Sequence, residues 1–280
     1  MYKIVSKQQL ASNITSFWLS APDIAKNAKA GQFIIFRIDD YSERVPLTIA
    51  GVDKDKGLVR IIFQHAGKST TALSLLNEGE FVKDFLGPLG QPTEVEKYGT
   101  VCIVSGGVGT AEIIPVIDAL KEAGNKVISI VGARTKELLL LEDDIRKASS
   151  ELIVATDDGS YGIKGFVTNV LQDVINKEKV DIVYAIGPVP MMKAVANLTK
   201  EKGVKTLASL NPIMVDGTGM CGACRVTVDG KTKFACVDGP EFDAHKVNWD
   251  ELISRLGVFK DLEKVSLENF KNGGCKCHRG

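Results

Sequence analysis

Residues 104–116, which read VSGGVGTAEIIPV, decide the fold of this chain of 280 residues. An apolar run leads directly into the glycines Gly106, Gly107 and Gly109, and an apolar helical pattern follows them. Glycines in a strand-to-helix turn let backbone amides approach a pyrophosphate at the positive end of the helix dipole. The spacing falls short of a full G-x-G-x-x-G, and a tight turn alone also favours glycine. The stretch therefore predicts a βα unit and a candidate nucleotide site.

The same rhythm of strand and helix continues from about residue 98 to residue 210. Apolar strands alternate with helical segments, which predicts a parallel, doubly wound sheet covered by helices. Two further turns, ATDDGSYG at 155–162 and YAIGPVPMMKAV at 184–195, follow later strands of the series. Because ligands bind at the carboxyl edge of such sheets, the three turns predict one binding rim. Ordinary turn and capping chemistry accounts equally well for Asp157 and Asp158 on their own.

A different pattern precedes this unit. Residues 1–97 read as short strands separated by glycine, aspartate and asparagine, with little helix, which predicts a small antiparallel barrel or sandwich. Two stretches stand out there, RVPLTIA at 44–50 and HAGKSTTAL at 65–73. An arginine beside a strand can clamp a phosphate, and free amides at the start of a helix can bind an anion. A surface arginine and an ordinary helix cap are the alternatives.

The C-terminal part of the chain is rich in cysteine. Five of the six cysteines lie in the last sixty residues, while Cys102 stands alone in an apolar run. The spacing D-x4-C-x2-C-x11-C predicts an iron–sulfur or zinc site on Asp216, Cys221, Cys224 and Cys236. The three thiols alone do not decide between the two metals, and a structural zinc would need a fourth ligand besides them, for which the candidates are His245, Cys275, Cys277 and His278.

Segment 211–240 shows no obvious regular core, so a bound metal or cofactor is expected to hold it together. Beyond it, a helical pattern places Trp249, Leu252, Ile253 and Leu256 on one face. This face could dock on the body of the protein or on a partner, and the sequence leaves both possibilities open.

The overall charge and hydropathy limit the function classes. Thirty-five basic residues balance thirty-five acidic ones, and 44% of the chain is hydrophobic. No net field therefore favours nucleic acid or an anionic membrane as a partner. No stretch reaches the roughly 18 apolar residues of a membrane span, and the N-terminus does not resemble a signal peptide. The expected compartment is the cytoplasm, where thiols stay reduced and clustered cysteines are more often metal ligands or redox centres than disulfides.

Together these stretches resemble the ferredoxin–NADP reductase superfamily over nearly the whole chain, in the branch with a C-terminal [2Fe-2S] domain. That branch includes the electron-transfer subunits of dihydroorotate dehydrogenase B and the small subunits of NADH-dependent ferredoxin:NADP oxidoreductases. The implied fold class is β plus α/β. The implied domains are an antiparallel FAD-binding β-barrel at 1–97, a doubly wound NAD-binding domain at 98–210, a small iron–sulfur segment at 211–245, and a helix with a tail at 246–280.

The resemblance also assigns residues to the flavin. The stretch around Thr48 is similar to the family's strand along the flavin, with Thr48 facing the isoalloxazine N5 as the catalytic residue. The family arginine commonly stands where this chain has Val45, and Arg44 comes just before it. The second flavin motif, whose amides hold the FAD pyrophosphate, follows His65. The implied flavin residues are Arg44, Val45, Pro46, Leu47, Thr48, His65, Gly67, Lys68, Ser69 and Thr70.

For the pyridine nucleotide, the resemblance points to the glycine turn and to the later glycine–proline turn near the nicotinamide. Ile186 stands where many relatives have a cysteine. NADP-specific members place serine and arginine after the third strand, whereas carboxylates stand here; these accept hydrogen bonds from a ribose 2′-hydroxyl and repel a 2′-phosphate. NAD(H) is therefore expected, bound by Gly106, Gly107, Gly109, Thr110, Asp157, Asp158, Gly187, Pro188 and Met191.

Asp216 distinguishes the members of the branch. The dihydroorotate dehydrogenase subunits have a cysteine at this position, whereas an aspartate resembles the ferredoxin:NADP oxidoreductase small subunits. The resemblance implies that NADH reduces FAD and that single electrons pass through the Asp216, Cys221, Cys224 and Cys236 cluster to a larger flavin and iron–sulfur subunit, in an electron-bifurcating enzyme. The alternatives are a dihydroorotate dehydrogenase, hydrogenase or sulfur reductase subunit and, outside the enzymes, a zinc-stabilised nucleotide-binding module.

Overall fold

The computed structural model describes residues 1–273. Its first sheet contains seven antiparallel strands: β1 (Tyr2–Ala11), β2 (Ile14–Ser20), β3 (Phe33–Arg37), β4 (Val45–Asp53), β5 (Leu58–Gln64), β6 (Phe81–Val82) and β7 (Asp84–Leu89). Their order is β6-β1-β2-β5-β4-β3-β7. Only Lys83 separates the two edge strands in the chain, so the sheet curls into a nearly closed barrel around Phe17, Phe36, Phe63 and Phe85. The predicted antiparallel barrel is confirmed.

Two helices accompany the barrel, α1 (Pro22–Asn27) and α2 (Lys68–Leu75). Helix α2 was expected from the sequence, whereas α1 was not. Six residues are too few for an apolar period to be recognised, and Pro22 in the first turn reads as a breaker although its missing N–H has no helical partner there.

The second sheet also contains seven strands: β8 (Thr100–Gly106), β9 (Lys126–Ala133), β10 (Glu151–Thr156), β11 (Ile163–Lys164), β12 (Ile182–Ile186), β13 (Lys205–Ser209) and β16 (Glu241–Asp243). Their order is β11-β10-β9-β8-β12-β13-β16, and every pairing is parallel except that of β13 with β16. The first strand of the unit thus lies in the middle, with its successors placed on either side.

Four helices cover the two faces of this sheet: α3 (Ile113–Glu122), α4 (Glu142–Ala148), α5 (Val167–Lys177) and α6 (Val189–Lys202). Helices α3 and α4 bury Ile117 and Ile145 against one face, while α5 and α6 bury Leu171 and Met192 against the other. Because the helices after β8 and β12 lie on opposite faces, a crevice opens at the carboxyl ends of these neighbouring strands. The predicted doubly wound sheet is confirmed.

The C-terminal part packs against this unit. It contains the hairpin β14 (Arg225–Val228) and β15 (Lys231–Phe234), the single turn α7 (Ala235–Asp238), strand β16, and helices α8 (Trp249–Gly257) and α9 (Lys260–Lys271). The segment expected to lack a regular core in fact buries Val226 and Val228 in the same apolar cluster as the parallel sheet.

Helix α8 contributes to that core as well. Trp249 and Leu252 are buried and Leu256 packs beside them, whereas Ile253 is 40% exposed and departs from the shared face expected from the sequence. Cys275, Cys277 and His278 lie outside the described residues. Within residues 1–273 no helix is long and apolar enough to cross a membrane.

Candidate active site and cluster loop

A cavity of about 380 Å³ lies where the barrel, the carboxyl edge of the parallel sheet and the segment after β13 meet. Strand β4 contributes Pro46, Leu47 and Thr48 to its wall. The sheet edge contributes the glycine turn after β8 and the Gly187–Pro188 turn after β12. The last wall comes from Leu210, Asn211, Pro212 and Met214. The structure therefore brings three separate sequence-predicted motifs to one cavity.

Strand β4, which carries the first flavin motif, places some of its side chains in the cavity wall and others in the barrel core. Pro46, Leu47 and Thr48 line the cavity, while Val45 packs against the barrel core. Arg44 precedes the strand and is exposed at the surface. The backbone of β4 is held between β3 and β5, which fixes the position of Thr48.

The second flavin motif begins helix α2. The Thr70 hydroxyl accepts the backbone N–H groups of Ala66 at 3.1 Å and Gly67 at 3.2 Å. The Ser69 hydroxyl donates to Glu43. No atom lies within 4 Å of the position that a Cβ on Gly67 would take, so the backbone beside this helix start is open to a ligand. Thr70 and Ala66 line the cavity.

His65 is engaged elsewhere. Its Nε2 lies 2.9 Å from the Thr15 hydroxyl, and burial together with the positive charge of Lys7 lowers its pKa. The ring packs 6.1 Å from the Phe63 ring and is not part of the cavity wall. Of the predicted flavin set, Pro46, Leu47, Thr48 and Thr70 line the cavity, whereas His65 lies outside its wall, as do Arg44, Val45, Gly67, Lys68 and Ser69.

The nucleotide turn is built on close backbone contacts. A Cβ on Gly109 would lie 2.9 Å from Gly187 Cα, and a Cβ on Gly187 would lie 2.8 Å from the Gly106 carbonyl oxygen. Only glycine lets the two turns approach this closely. Gly107 differs, since its φ is +59° and nothing lies within 4 Å of its Cβ position, so its backbone faces open space at the cavity.

Residues 107–112 after this turn form a 3₁₀ helix, and α3 begins at Ile113. Thr110 is buried, and its hydroxyl accepts a hydrogen bond from the Ser105 hydroxyl at 3.4 Å. Met191 and Pro188 pack beside Gly106. The Thr110 and Met191 side chains therefore pack behind the two turns. The backbone of the turns forms the surface that a ligand can contact.

The predicted ribose carboxylates lie after β10, away from the cavity wall. The Asp158 carboxylate accepts the backbone N–H of Ser160 at 2.9 Å and its hydroxyl at 2.7 Å, and these bonds lower its pKa. Asp158 thus stabilises its own turn, which agrees with the alternative of ordinary turn and capping chemistry. Asp157 is exposed at the carboxyl end of β10.

The four predicted cluster ligands fall into two pairs. The Sγ atoms of Cys224 and Cys236 are 3.2 Å apart and buried. In the other pair, the Asp216 carboxylate accepts the backbone N–H of Cys221 at 2.7 Å, and Cys221 is exposed. Bonds from Cys221 and Thr218 hold the pKa of Asp216 well below its usual range.

Within residues 1–273 no group of three or more His, Cys, Asp or Glu side chains is close enough to hold a single metal ion. His245 does not complete a zinc site either, because its Nε2 lies 2.9 Å from the Thr199 hydroxyl on α6.

The cluster loop, residues 211–236, contains the four predicted cluster ligands and lies directly against the cavity. Met214, two residues before Asp216, is buried and lines the cavity. A Cβ on Gly217 would lie 2.6 Å from Ile35 Cδ1 on β3, so the loop packs tightly against the barrel. Cys224, Cys236, Met214 and Ile35 belong to one apolar cluster. Little more than side-chain packing therefore separates the cavity from the predicted cluster ligands.

One residue of the cavity was not singled out from the sequence. Glu112 lines the cavity two residues after Thr110, and burial raises the pKa of its carboxyl to about 7 although the Thr48 side chain partly opposes the shift as a hydrogen-bond partner. The only sequence signal was a lone acidic residue in an otherwise apolar stretch after the glycines.

A flavin-type barrel, a dinucleotide-type sheet edge and a loop with two donor pairs define an oxidoreductase that transfers electrons between a pyridine nucleotide, a flavin and an iron–sulfur cluster. Family models agree: the iron–sulfur cluster binding domain of dihydroorotate dehydrogenase B matches residues 211–248, and the oxidoreductase NAD-binding domain matches residues 103–197. The chain therefore has the domains that bind FAD, NAD(H) and a [2Fe-2S] cluster.

The chain belongs to the family of dihydroorotate dehydrogenase B electron-transfer subunits and their homologues. The electron-transfer subunit homologue of Thermotoga maritima is 48% identical over 96% of this chain and 95% of its own length. A protein encoded in the adh 3′ region of Clostridium beijerinckii is 50% identical over 99% of both chains. A chain in the structure of an NADH-dependent reduced ferredoxin–NADP oxidoreductase superposes with a TM-score of 0.92 at 46% identity, covering 97% of this chain and 98% of that one.

These relationships establish the predicted class, an NAD-dependent flavoprotein oxidoreductase subunit of a heteromeric enzyme. The alternative of a zinc-stabilised module without a redox role is not supported, because the matched C-terminal family binds an iron–sulfur cluster.

Proposed function

We propose that this chain is the NADH-oxidising arm of a heteromeric, electron-bifurcating ferredoxin:NADP oxidoreductase, delivering electrons to a larger flavin and iron–sulfur subunit. The observation that carries the proposal is the meeting of Thr48, the glycine turn of β8 and the cluster loop at one cavity. Bound FAD would accept two electrons from NADH as a hydride and release them one at a time. The chain's own part is to place the nicotinamide, the flavin and the cluster in this order.

The chain's residues have distinct parts in this function. We assign Thr48 to the isoalloxazine N5, Pro46 and Leu47 to the flavin face, and the open backbone at Gly67 to the pyrophosphate. Arg44, Lys68, Ser69 and Thr70 surround that phosphate end, while Val45 keeps the strand seated in the barrel. For the nucleotide, Gly107 offers its backbone to the pyrophosphate, and Gly187 and Pro188 bound the nicotinamide.

Asp157 supports NAD(H) as the nucleotide. A carboxylate beside the adenosine ribose accepts hydrogen bonds from a 2′-hydroxyl but repels a 2′-phosphate. Because Asp158 is engaged with Ser160, the discrimination falls to Asp157. We also propose that the protein resides in the cytoplasm, where the cysteine thiols of the cluster loop would stay reduced.

The second candidate is the electron-transfer subunit of a dihydroorotate dehydrogenase, the activity named for the Thermotoga maritima homologue. Asp216 favours the first candidate, because the dihydroorotate dehydrogenase subunits carry cysteine in the first ligand position. The larger subunit that copurifies with the chain decides between them.

The test starts with the full chain purified without oxygen. We expect flavin absorbance bands above the broad red-brown absorbance of a [2Fe-2S] cluster, and bleaching of the flavin by NADH but not by NADPH. Affinity purification from the native host is expected to recover a larger subunit with flavin and iron. A colourless chain, or one that NADPH alone reduces, would contradict the proposal; recovery of a dihydroorotate-oxidising subunit would favour the second candidate.

A further inference from the structure

Arg255, near the end of α8, reaches across to the cluster loop. Its guanidinium Nη2 donates a hydrogen bond to the Ala223 carbonyl oxygen at 3.1 Å, although the two residues are 32 positions apart in the chain. Ala223 is the residue just before Cys224, so its carbonyl carbon is bonded to the Cys224 nitrogen. The positive charge is therefore held one peptide group away from a predicted cluster ligand.

Helix α8 fixes the position from which Arg255 acts. At its start, the Trp249 indole N–H donates to the Ala244 carbonyl at 3.0 Å. In its first turn, Asp250 forms an ion pair with Lys193 on α6, with Nζ and Oδ1 2.6 Å apart. Arg255 thus reaches the cluster loop from a helix that is anchored on the neighbouring unit, and not from the loop itself.

The charge of Arg255 is partly buried and is not neutralised by an acidic side chain. Arg255 is half-buried, and within residues 1–273 it takes part in no ion pair. Arg225 differs from it, because it donates to the Gly222 carbonyl at 3.1 Å from an exposed position, where water and salt screen its charge. A cation in partly buried surroundings acts more strongly on a neighbouring charge than an exposed cation does.

We infer that Arg255 is a positioning residue of the cluster site, which holds the segment between Cys221 and Cys224 and raises the reduction potential of the cluster. The inference rests on the proposed function and its four cluster ligands. One electron from the flavin makes the cluster more negative by one charge, while no bond to Arg255 forms or breaks. The guanidinium beside the ligands stabilises that added charge. Because a guanidinium stays protonated at every pH at which the protein is folded, Arg255 exerts this effect without titrating.

The experiment uses the full chain with its FAD and cluster, purified without oxygen as wild type, Arg255→Gln, Arg255→Met and Arg255→Lys. The first two variants remove the charge, and methionine keeps the apolar stem of the side chain; the lysine variant keeps the charge. Arg146→Gln is the matched control, because Arg146 is exposed on α4, where it pairs with Glu142. The readouts are the cluster potential, from a redox titration followed by electron paramagnetic resonance, and the iron content of each chain.

We expect Arg255→Gln and Arg255→Met to keep their iron and to lower the equilibrium constant for cluster reduction by about tenfold, which is about 59 mV for one electron. Arg255→Lys should retain most of the wild-type potential, and Arg146→Gln should match wild type. A wild-type potential in both charge-free variants would overturn the inference. Loss of iron from both would also overturn it, since Arg255 would then serve only to fold the loop. If the wild type itself binds no iron–sulfur cluster, the proposed function fails instead.

Discussion

The Asp216 carboxylate accepts the backbone N–H of Cys221 at 2.7 Å, while the Sγ atoms of the remaining two ligand candidates, Cys224 and Cys236, are 3.2 Å apart. An aspartate is thereby fixed beside the first cysteine before any metal binds. A carboxylate oxygen is a harder and less electron-donating ligand than a thiolate, so it raises the potential of the iron that it binds.

Asp216→Cys is therefore expected to lower the reduction potential of the cluster, by an amount on the order of 100 mV. A redox titration followed by electron paramagnetic resonance measures it. Asp229→Asn, on the exposed turn of the neighbouring hairpin, serves as the control for loss of one negative charge. An unchanged potential in Asp216→Cys would show that this side chain does not ligate the cluster.

Glu112 should make stability depend on pH. Its pKa is about 7 in the folded chain against an ordinary 4.5, so between these values the folded state holds a proton that the unfolded state has lost. The free energy of unfolding therefore falls as the pH rises through this window. The Glu112→Gln variant has no carboxyl at this position, so its free energy of unfolding does not fall for this reason. We expect the variant to be more stable than wild type by about 1–3 kcal/mol above pH 7 and to differ little at pH 4. Urea unfolding at both pH values measures this difference.

The control for that measurement is Glu122→Gln, at an exposed position at the end of α3. Its stability difference from wild type should be the same at both pH values. Equal pH dependence of wild type and Glu112→Gln would mean that the carboxyl is not buried in the folded chain.

Gly109→Ala tests the contact between the two turns. Its new methyl group would lie 2.9 Å from Gly187 Cα, so the ends of β8 and β12 must separate. We expect a loss of about 1–3 kcal/mol in stability and a weaker apparent affinity for NADH, measured by stopped-flow reduction of the flavin. Gly257→Ala on α8 is the matched control, because nothing lies within 4 Å of its Cβ position. A wild-type affinity in Gly109→Ala would contradict the assignment of this turn to the nucleotide.

Asp157→Ser tests the choice of nucleotide. Removing the charge relieves repulsion of a 2′-phosphate, so kcat/KM for NADPH should rise and that for NADH should fall, changing their ratio by at least about tenfold. Steady-state reduction of an artificial acceptor gives both constants. Asp173→Asn, exposed on α5, removes the same charge from a remote surface and should leave the ratio unchanged. Asp158→Ser is expected to act mainly through its bonds to Ser160.

The sequence predicted the features that depend on local pattern. Strands β8, β10 and β13 lie in the stretch where alternating apolar strands and helices were expected, because buried parallel strands read as continuous apolar runs. The turn at Gly106 and Gly187 was recognised from its glycines. The structure adds why they are glycines, which is a backbone contact between two segments eighty residues apart that no local pattern contains.

Other features depend on tertiary contacts and could not be predicted. The hairpin β14–β15 was missed because its short strands are stabilised by packing against the parallel sheet rather than by a core of their own. His65 was grouped with its neighbours in sequence, yet its ring turns to Thr15 on the adjacent strand β2. Glu112 belongs to no recognisable sequence motif, and its raised pKa results from burial that only the assembled cavity creates.

Strand β16, which adds an antiparallel edge to the parallel sheet, belongs by sequence to the cluster segment. Gln91, just after the last strand of the barrel, also donates its backbone N–H to the Gly239 carbonyl at 2.6 Å and its side chain to Val237 at 2.9 Å. The segment that carries the predicted cluster ligands is thus hydrogen-bonded to both neighbouring sheets. The distance between the cavity and the loop is consequently fixed by hydrogen bonds on both sides of the loop.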